Sequence, residues 1–187
     1  MNVSFRATSI DYPYVIKRNS INNKENEYLT YFVELDTQNE EDYQALRKVA
    51  FDWENGGSYA MDVLNSYVFE RKKLCTPTFA NYRYFAFTTY DKPFTKIDPE
   101  MILGVATLIE KKDTPSTLQH LQVHPEHTYK SKNRGFRHIG AALTKTIQKL
   151  FTSNSLNLYS ISDESTAFYK KMNFTQDKKS LYMIFKP

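Results

Sequence analysis

The chain has 187 residues, 41% of them hydrophobic, and a single cysteine, Cys75. This length suits one domain with one sizeable core, and one cysteine excludes an internal disulfide framework and a CxxC metal site. The net charge of +4 is too small to indicate a nucleic-acid partner by itself, although it suits a polyanionic ligand. The N-terminus has no apolar signal core and no apolar run is long enough to span a bilayer, so we expect a cytoplasmic protein without a membrane partner.

The N-terminal half predicts two strands followed by two helices. Residues 5–17 and 27–36 are rich in Tyr, Phe, Val and Ile, and the polar run RNSINNKEN between them favours a turn. A helix then begins with Asp36 or Thr37 as its cap and ends at Gly56 and Gly57. Its apolar face carries Tyr43, Leu46, Val49, Ala50 and Trp53. A second helix is predicted over residues 59–74, where CTPTF ends it.

The C-terminal half predicts strands alternating with helices. β-forming residues dominate residues 81–90 and 101–110, on either side of a linker with two prolines. The later elements are a strand from residue 117 to Pro125, a helix over 139–150, a strand over 156–161, a helix over 163–172 and a strand over 180–186. The predicted order, β-β-α-α-β-β-β-α-β-α-β, gives a mixed α/β sheet covered by helices.

The stretch over residues 117–150 combines a strand, a basic loop and a helix. Apolar residues recur at spacings of three and four from Ile139 to Leu150, which predicts one buried helix face. The loop places arginines and glycines at the start of this helix, namely Arg134, Gly135, Arg137, His138 and Gly140. A helix N-terminus offers unpaired N–H groups and the positive end of the helix dipole, and glycine lets a phosphate approach closely. The stretch therefore predicts an anionic ligand.

Two blocks of the sequence resemble the GNAT superfamily of acyl-CoA-dependent N-acyltransferases. LQVHPEH followed by RGFRHIGAAL is similar to the family's signature strand, its pyrophosphate loop and the helix after it. SDESTAFYKKMNF is similar to the family's later Asn-x-x-Ala-x-x-x-Tyr-x-Lys-x-Gly-Phe block. The resemblance covers residues 28–187 and leaves residues 1–27 as an N-terminal extension packed on the domain. It implies a single-domain, mostly antiparallel central sheet with splayed central strands, flanked by helices.

The sequence departs from the family pattern at several positions. In an alignment on IGAAL, His138 falls where the first glycine of the pyrophosphate loop normally lies, whereas an alignment on Arg134 and Gly135 leaves one extra residue before Gly140. The loop is also longer than usual by the polar residues HTYKSKN. In the second block, Ser162 stands at the family's asparagine, Ser165 at its alanine and Asn173 at its glycine. Since Asn adopts the left-handed conformation more readily than other residues apart from Gly, we expect Asn173 to preserve the turn after the helix.

The resemblance implies acetyl-CoA as co-substrate, without a metal. Leu121, Gln122 and Val123 would offer main-chain groups to the pantetheine arm and the thioester oxygen beside a splayed or bulged strand position, and their side chains need no special chemistry. The pyrophosphate would lie on the N–H groups of the loop from Arg134 to Ala141, with Arg134, Arg137 and Lys130 or Lys132 available to pair with phosphates. The expected cofactor-binding set is completed by Gly135, Phe136, His138, Ile139, Gly140 and Ser162. The alternative for this loop is a solvated basic turn.

Tyr169 is the predicted general acid, because it matches the family's tyrosine and a phenol can protonate the departing thiolate. The alternative for Tyr169 is a core aromatic residue. His120 is the predicted base, on the strand that would carry the thioester, with Asp52, Glu54 and water as alternatives. Cys75 has no His and acid arrangement around it in sequence, so we expect a core thiol.

The predicted function is an N-acetyltransferase that joins acetyl-CoA to a small-molecule or protein amine by direct attack in a ternary complex. Residues that could meet a cationic acceptor, or equally be ordinary core and surface residues, are Asp52, Trp53, Glu54, Tyr59, Asp62 and Tyr67. A non-catalytic acyl-CoA sensor is the main alternative. A basic nucleic-acid-binding domain is a third, motivated by KSKNRGFR, but no known motif supports it and we expect no nucleic-acid partner. The protein is expected to be a monomer or a homodimer, the latter paired through SLYMIFKP.

Overall fold

The computed structural model describes residues 9–19, 25–53, 59–72, 80–89, 97–111, 114–128, 130–131, 135–150, 155–177 and 180–187. Within these residues the strands are β1 (Ser9–Asn19), β2 (Glu25–Glu34), β3 (Ala80–Thr88), β4 (Ile102–Lys111), β5 (Ser116–Val123), β6 (Leu156–Tyr159), β7 (Thr175–Gln176) and β8 (Tyr182–Phe185). The helices are α1 (Glu40–Asp52), α2 (Tyr59–Arg71), α3 (Ile139–Leu150) and α4 (Asp163–Lys171). The predicted order is confirmed, with one short strand, β7, added after α4.

The strands form one sheet in the order β1-β2-β3-β4-β5-β6-β8-β7. Every neighbouring pair is antiparallel except β5 and β6, so the predicted mixed, mostly antiparallel sheet is confirmed. β8 lies between β6 and β7, and its residues Met183 and Ile184 have partners on both sides. This part of SLYMIFKP therefore has no free edge for the pairing predicted across a dimer.

Helices cover both faces of the sheet, and each face has its own core. Alternate residues of β3 separate the two cores: Phe85 and Phe87 pack with α3, whereas Tyr84 and Ala86 pack with α1 and α2. This is the two-residue period of a strand that is buried on both sides. Phe174 and part of α4 join the α3 core. The site described below lies where these layers meet β5.

The start of α1 differs from the prediction in its capping residue. Asn39, rather than Asp36 or Thr37, caps the helix, because its side-chain oxygen accepts from the N–H groups of Glu41 at 2.8 Å and Asp42 at 3.3 Å. Asp36 instead forms a turn in which its side chain accepts from Gln38 N–H at 2.9 Å. The predicted end of α1 at Gly56 and Gly57 lies outside the described residues. None of the helices in the described ranges is long and apolar enough to cross a membrane.

Gly104 on β4 allows α3 to lie close to the sheet. A Cβ atom at this position would be 3.1 Å from Leu143 Cδ2 on α3 and 3.2 Å from the carbonyl oxygen of Gln122 on β5. Both distances are shorter than ordinary van der Waals contacts, so a side chain at Gly104 would displace its neighbours. Gly104 pairs with Val123, and the close approach therefore lies directly beside the C-terminal end of β5.

Candidate functional site

A cavity of about 650 Å³ lies between the C-terminal end of β5, the N-terminus of α3 and the first turns of α4. Its lining residues are Leu121, Val123, His127, Thr128, Lys130, His138, Ile139, Gly140, Ala141, Ser162, Glu164, Ser165, Phe168 and Tyr169. Eight of these belong to the predicted site, and Lys130 was predicted as a phosphate partner. The two sequence blocks, the first of which ends at Leu143 and the second of which begins at Ser162, thus meet at one cavity.

The cavity opens where β5 separates from β6. β5 pairs with β4 along most of its length but with β6 only at residues 116–118, because β6 ends at Tyr159. Thr107 lies opposite His120 and Leu108 opposite Leu118, so Gln119 is an extra residue in β5 and forms a bulge. The predicted splayed and bulged strand is confirmed, immediately before the predicted thioester-binding residues.

The main chain of β5 faces the open edge at two of the three predicted residues. His124 N–H donates to the Leu103 carbonyl at 2.9 Å. Hydrogen-bonded and non-hydrogen-bonded pairs alternate in an antiparallel ladder, so Gln122 turns its main-chain groups toward β4. Leu121 and Val123 therefore present their N–H and C=O groups to the gap left by β6. Only these two residues have the main-chain orientation expected of a thioester-binding edge.

The N-terminus of α3 forms the second wall. His138 has φ of 63°, the left-handed conformation, and its carbonyl accepts from Ala142 N–H at 2.9 Å in the first bond of the helix. The N–H groups of Ile139, Gly140 and Ala141 precede that bond and have no acceptor within the helix. In the alignment on IGAAL, His138 takes a glycine position, and the left-handed conformation is one that favours glycine.

Gly140 brings α3 close to both other walls of the cavity. A Cβ atom at Gly140 would lie 3.5 Å from Val123 Cγ2 and 3.5 Å from Phe168 Cζ. These are ordinary contact distances, so the protein alone tolerates a methyl group there. The methyl group would occupy the first turn of α3, next to the N–H groups that face the cavity.

The rest of the predicted phosphate loop does not line the cavity where the structure describes it. Arg134 and Lys132 fall outside the described residues. Gly135, Phe136 and Arg137 are described but do not line the cavity. Instead the Phe136 ring contacts the His127 ring edge to face at 5.1 Å. Among the described residues that line the cavity, Lys130 is the one lysine, and there is no arginine.

Ser162 lines the cavity and caps α4. Its hydroxyl accepts from Ser165 N–H at 3.1 Å, while Ser165 Oγ accepts from Ser162 N–H at 3.1 Å, which completes a capping box. Ser160 extends this hydroxyl cluster, with its Oγ 2.6 Å from Ser165 Oγ. The cluster fixes the start of α4, the helix whose following turn carries Phe168 and Tyr169 to the cavity.

Tyr169 is held in place by the end of its own helix. Asn173 has φ of 65°, as predicted, and Phe174 N–H donates to the Tyr169 carbonyl at 3.0 Å while Asn173 N–H donates to the Lys170 carbonyl at 3.1 Å. These two bonds make a Schellman motif, and the Phe174 ring contacts the Tyr169 ring at 5.5 Å. Burial, with a smaller contribution from Tyr59, raises the pKa of Tyr169 to about 12. The phenol is therefore protonated at neutral pH.

His120 lies on the opposite face of β5, toward α2. Its ring is 6.2 Å from the Tyr59 ring, and its buried Nδ1 has no hydrogen-bond partner among the described residues. Thr107 Oγ1, on the paired position of β4, is likewise buried and unpaired within the described residues. Burial lowers the pKa of His120, partly offset by the Asp62 carboxylate. A neutral imidazole at pH 7 can accept a proton.

The structure places the other residues predicted to meet the acceptor in different environments. The Trp53 ring is buried and contacts His124 at 5.0 Å, whereas Asp52 is exposed and forms an ion pair with Lys48 at 2.7 Å. Tyr67 is buried, donates to the Asp36 carbonyl at 2.6 Å and has a pKa raised by burial, so it is a core residue. Glu54 and Cys75 lie outside the described residues.

Sequence reasoning missed five lining residues and one side-chain contact. His127, Thr128, Glu164, Ser165 and Phe168 line the cavity. Three of them follow the capping serine at the spacing of one helical face, which could have identified them. The missed contact belongs to Gln122, whose side chain was expected to need no special chemistry. Its Oε1 accepts from Ala60 N–H at 2.6 Å. No pattern in the sequence indicates that pairing.

No protein-family model matches the chain, and no curated protein matches it by sequence. Among solved structures, AtaTR bound with AcCoA is similar to this chain at 17% identity and a TM-score of 0.52. The alignment covers 83% of this chain and 92% of the matched chain. AtaT complexed with acetyl-methionyl-tRNAfMet matches at 15% identity over 94% of that chain, with a TM-score of 0.52. A GNAT-family protein from Desulfovibrio desulfuricans matches at 16% identity over 96% of that chain, with a TM-score of 0.52. These likenesses show that the chain has the GNAT fold.

Proposed function

We propose that this GNAT-fold protein is an acyl-CoA-dependent N-acetyltransferase that moves an acetyl group from acetyl-CoA to an amine by direct attack in a ternary complex. The observation that carries the proposal is the meeting of three features at one cavity: the unpaired edge of β5, the N-terminus of α3 and Tyr169. A volume of about 650 Å³ is in the range of small-molecule sites.

The two ends of the cavity differ in a way that suits acetyl-CoA. The end near α3 has first-turn N–H groups together with Lys130, which suit the phosphates. The end near β5 and α4 has the apolar side chains of Leu121, Val123 and Phe168, which suit the pantetheine arm. The thioester would then reach the splayed part of β5. Acetyl-CoA supplies a carbonyl that is activated toward attack by an amine.

The open edge of β5 would stabilise charge on the thioester oxygen. The N–H groups of Leu121 and Val123 face that edge, and a main-chain N–H group held in place by a sheet needs no reorganisation during the reaction. The bulge at Gln119 lies two residues before Leu121 and bends the strand there. Each of the two residues is thus a candidate for the oxyanion donor.

Tyr169 would act as the general acid. It is the cavity-lining phenol at the apolar end, and its raised pKa keeps the proton on the oxygen at every pH at which the protein is expected to work. A thiol has a reference pKa of about 8.5, lower than that of the buried phenol. Tyr169 therefore stabilises the departing sulfur first as a hydrogen-bond donor.

His120 would act as the base, from the α2 side of the sheet. An alkylamine has a pKa of about 10.4 and must lose a proton before it attacks. A histidine whose pKa is lowered by burial is neutral at pH 7 and can receive that proton directly or through water. With Tyr169 on one face of β5 and His120 on the other, cofactor and acceptor would approach the thioester from different sides.

The acceptor is proposed to be a primary amine on a small molecule or on a protein or peptide. Asp62 in the first turn of α2 is half-buried, and its carboxylate acts electrostatically on His120. It places negative charge on the acceptor side, where a cationic amine would arrive. Because AtaT has been solved with acetyl-methionyl-tRNAfMet, an aminoacyl-tRNA belongs among the amines to be tested.

A non-catalytic acyl-CoA sensor is the second candidate. The observation that favours it is the long loop before α3, in which His138 replaces a glycine at a left-handed position. A sensor would retain the cavity without turning over its ligand.

Thiol release from acetyl-CoA, measured against a panel of amines, separates the two functions. The panel contains spermidine, lysine methyl ester, a lysine-containing peptide, a free peptide N-terminus and charged tRNA. The enzyme proposal expects at least one amine to increase thiol release over the rate without protein. Calorimetric binding of acetyl-CoA without release on any of these amines would support the sensor instead.

A further inference from the structure

The side chain of Gln122 makes a contact that links the two faces of the site. It is buried on β5, the strand whose open edge faces the cavity, but its amide points toward α2. Its Oε1 accepts from Ala60 N–H at 2.6 Å, across 62 positions of sequence. A buried side-chain amide oxygen needs a donor, and the amide at the start of a helix needs an acceptor. The contact satisfies both groups.

Ala60 is the second residue of α2, directly after Tyr59. The first N–H groups of a helix have no acceptor inside the helix, and they are usually satisfied by a capping residue from the preceding turn. Here the acceptor comes from a strand of the central sheet. The hydrogen bond therefore connects the first turn of α2, which includes Tyr59, to β5.

Tyr59 is near both predicted catalytic residues. Its ring lies 6.2 Å from the His120 ring at an angle of 37°. The pKa of Tyr169 is raised mainly by burial and to a smaller extent by an electrostatic interaction with the Tyr59 phenol. His120 and Tyr169 approach β5 from opposite faces, and Tyr59 lies near each of them.

We propose that Gln122 is a positioning residue that holds Tyr59 between His120 and Tyr169 by capping α2 from the central strand. This role rests on the proposed acyl transfer, in which these residues surround the thioester. In that reaction, Gln122 would set where the amine meets the acyl group, while the cofactor cavity on the other face of β5 stays unchanged. Tyr59 would be the residue that contacts the acceptor.

Ring NMR signals of histidine test the proposal without an acceptor. The chain has four histidines, and a His120→Gln variant assigns the His120 signal. The full-length protein is compared with Gln122→Leu, which removes the acceptor of Ala60 N–H, and with Gln122→Asn, which shortens the side chain by one methylene. Tyr59→Ala shows what the His120 signal becomes without the neighbouring ring. Gln148→Leu is the matched control, because Gln148 Nε2 also makes a 2.6 Å hydrogen bond, to the Met172 carbonyl at the end of α4, and neither residue belongs to α2 or β5.

The proposal expects Gln122→Leu and Gln122→Asn to shift the His120 signal in the direction that Tyr59→Ala shifts it, while Gln148→Leu leaves it in place. An unchanged His120 signal in a folded Gln122 variant, or an equal shift in Gln148→Leu, would overturn it. Calorimetry with acetyl-CoA on the same samples keeps the two proposals apart. If wild-type protein binds no acetyl-CoA, the proposed function fails, whereas the His120 shifts still decide whether Gln122 holds Tyr59.

Discussion

Gly140 allows a prediction in which stability and cofactor affinity change in opposite directions. In Gly140→Ala the new methyl group lies 3.5 Å from Val123 Cγ2 and from Phe168 Cζ, which are ordinary contacts. Alanine is favoured over glycine in helices by up to about 1 kcal/mol, and for a chain of this size 1 kcal/mol corresponds to about 2–4 °C in Tm. We therefore expect Gly140→Ala to unfold at the wild-type temperature or a few degrees above it.

The same methyl group should weaken acetyl-CoA binding. It lies in the first turn of α3 between Val123 and Phe168, where the pantetheine arm is proposed to pass, and overfilling a packed contact costs about 1–3 kcal/mol. We expect the dissociation constant to rise at least about tenfold, which corresponds to about 1.4 kcal/mol. Isothermal titration calorimetry gives the affinity, and thermal unfolding followed by circular dichroism gives the Tm.

Gly104→Ala is the matched control for this experiment. Its methyl group would lie 3.1 Å from Leu143 Cδ2 and 3.2 Å from a backbone oxygen, so we expect a loss of about 1–3 kcal/mol in stability and a Tm lower by at least about 2 °C. Wild-type affinity in a folded Gly140→Ala protein would refute the proposed path of the cofactor between the first turn of α3, Val123 and Phe168.

Three further predictions concern single residues of the site. Tyr169→Phe should lower kcat by a factor of about 10²–10⁴ with the amine that the panel identifies. Calorimetry should show an acetyl-CoA affinity within about twofold of the wild-type affinity. A wild-type rate at all pH values would exclude the acid role. His138→Gly should raise the unfolding free energy by up to about 1 kcal/mol in urea titrations, because φ of 63° strains a non-glycine residue, and should retain acetyl-CoA binding, whereas a large loss of affinity would assign the imidazole a direct contact. Burial lowers the folded-state pKa of His120 and His124 below the unfolded value of about 6.5, so stability is fully present above that pH and is lost as the pH falls toward the folded pKa values. Urea titrations from pH 8 to pH 5 should show this fall, and His120→Gln should reduce it; an unchanged pH dependence in that variant would contradict the assignment.

Backbone conformation was the part of the site most accessible from sequence. Asn173 was predicted to take the left-handed conformation because it replaces a glycine after a helix, and its φ of 65° confirms this. The resemblance to the GNAT sequence pattern also placed His138 at a glycine position in the alignment on IGAAL, and His138 is left-handed in the structure. Both positions are local, since the required φ depends on a few neighbouring residues. The order of strands and helices followed from periodicity for the same reason.

Contacts between distant elements were not accessible from sequence. Gln122 caps Ala60 from another element, and no periodic pattern encodes a contact across 62 residues. β7 has only two residues, too few for a strand pattern to appear. Asp36, Thr37 and Asn39 are all good capping residues, and the choice among them is made by tertiary contacts such as the Tyr67 hydrogen bond to Asp36. Long-range packing therefore determines the details that local chemistry leaves open.

Calorimetric titration of acetyl-CoA into the wild-type protein shows whether the cavity holds an acyl-CoA. We expect one binding site per chain with a dissociation constant near the micromolar range, equivalent to about −8 kcal/mol, and weaker binding in Gly140→Ala. The absence of binding at concentrations of about 1 mM would contradict it, because the N-terminus of α3, the open edge of β5 and Tyr169 would then enclose a cavity that does not hold an acyl-CoA.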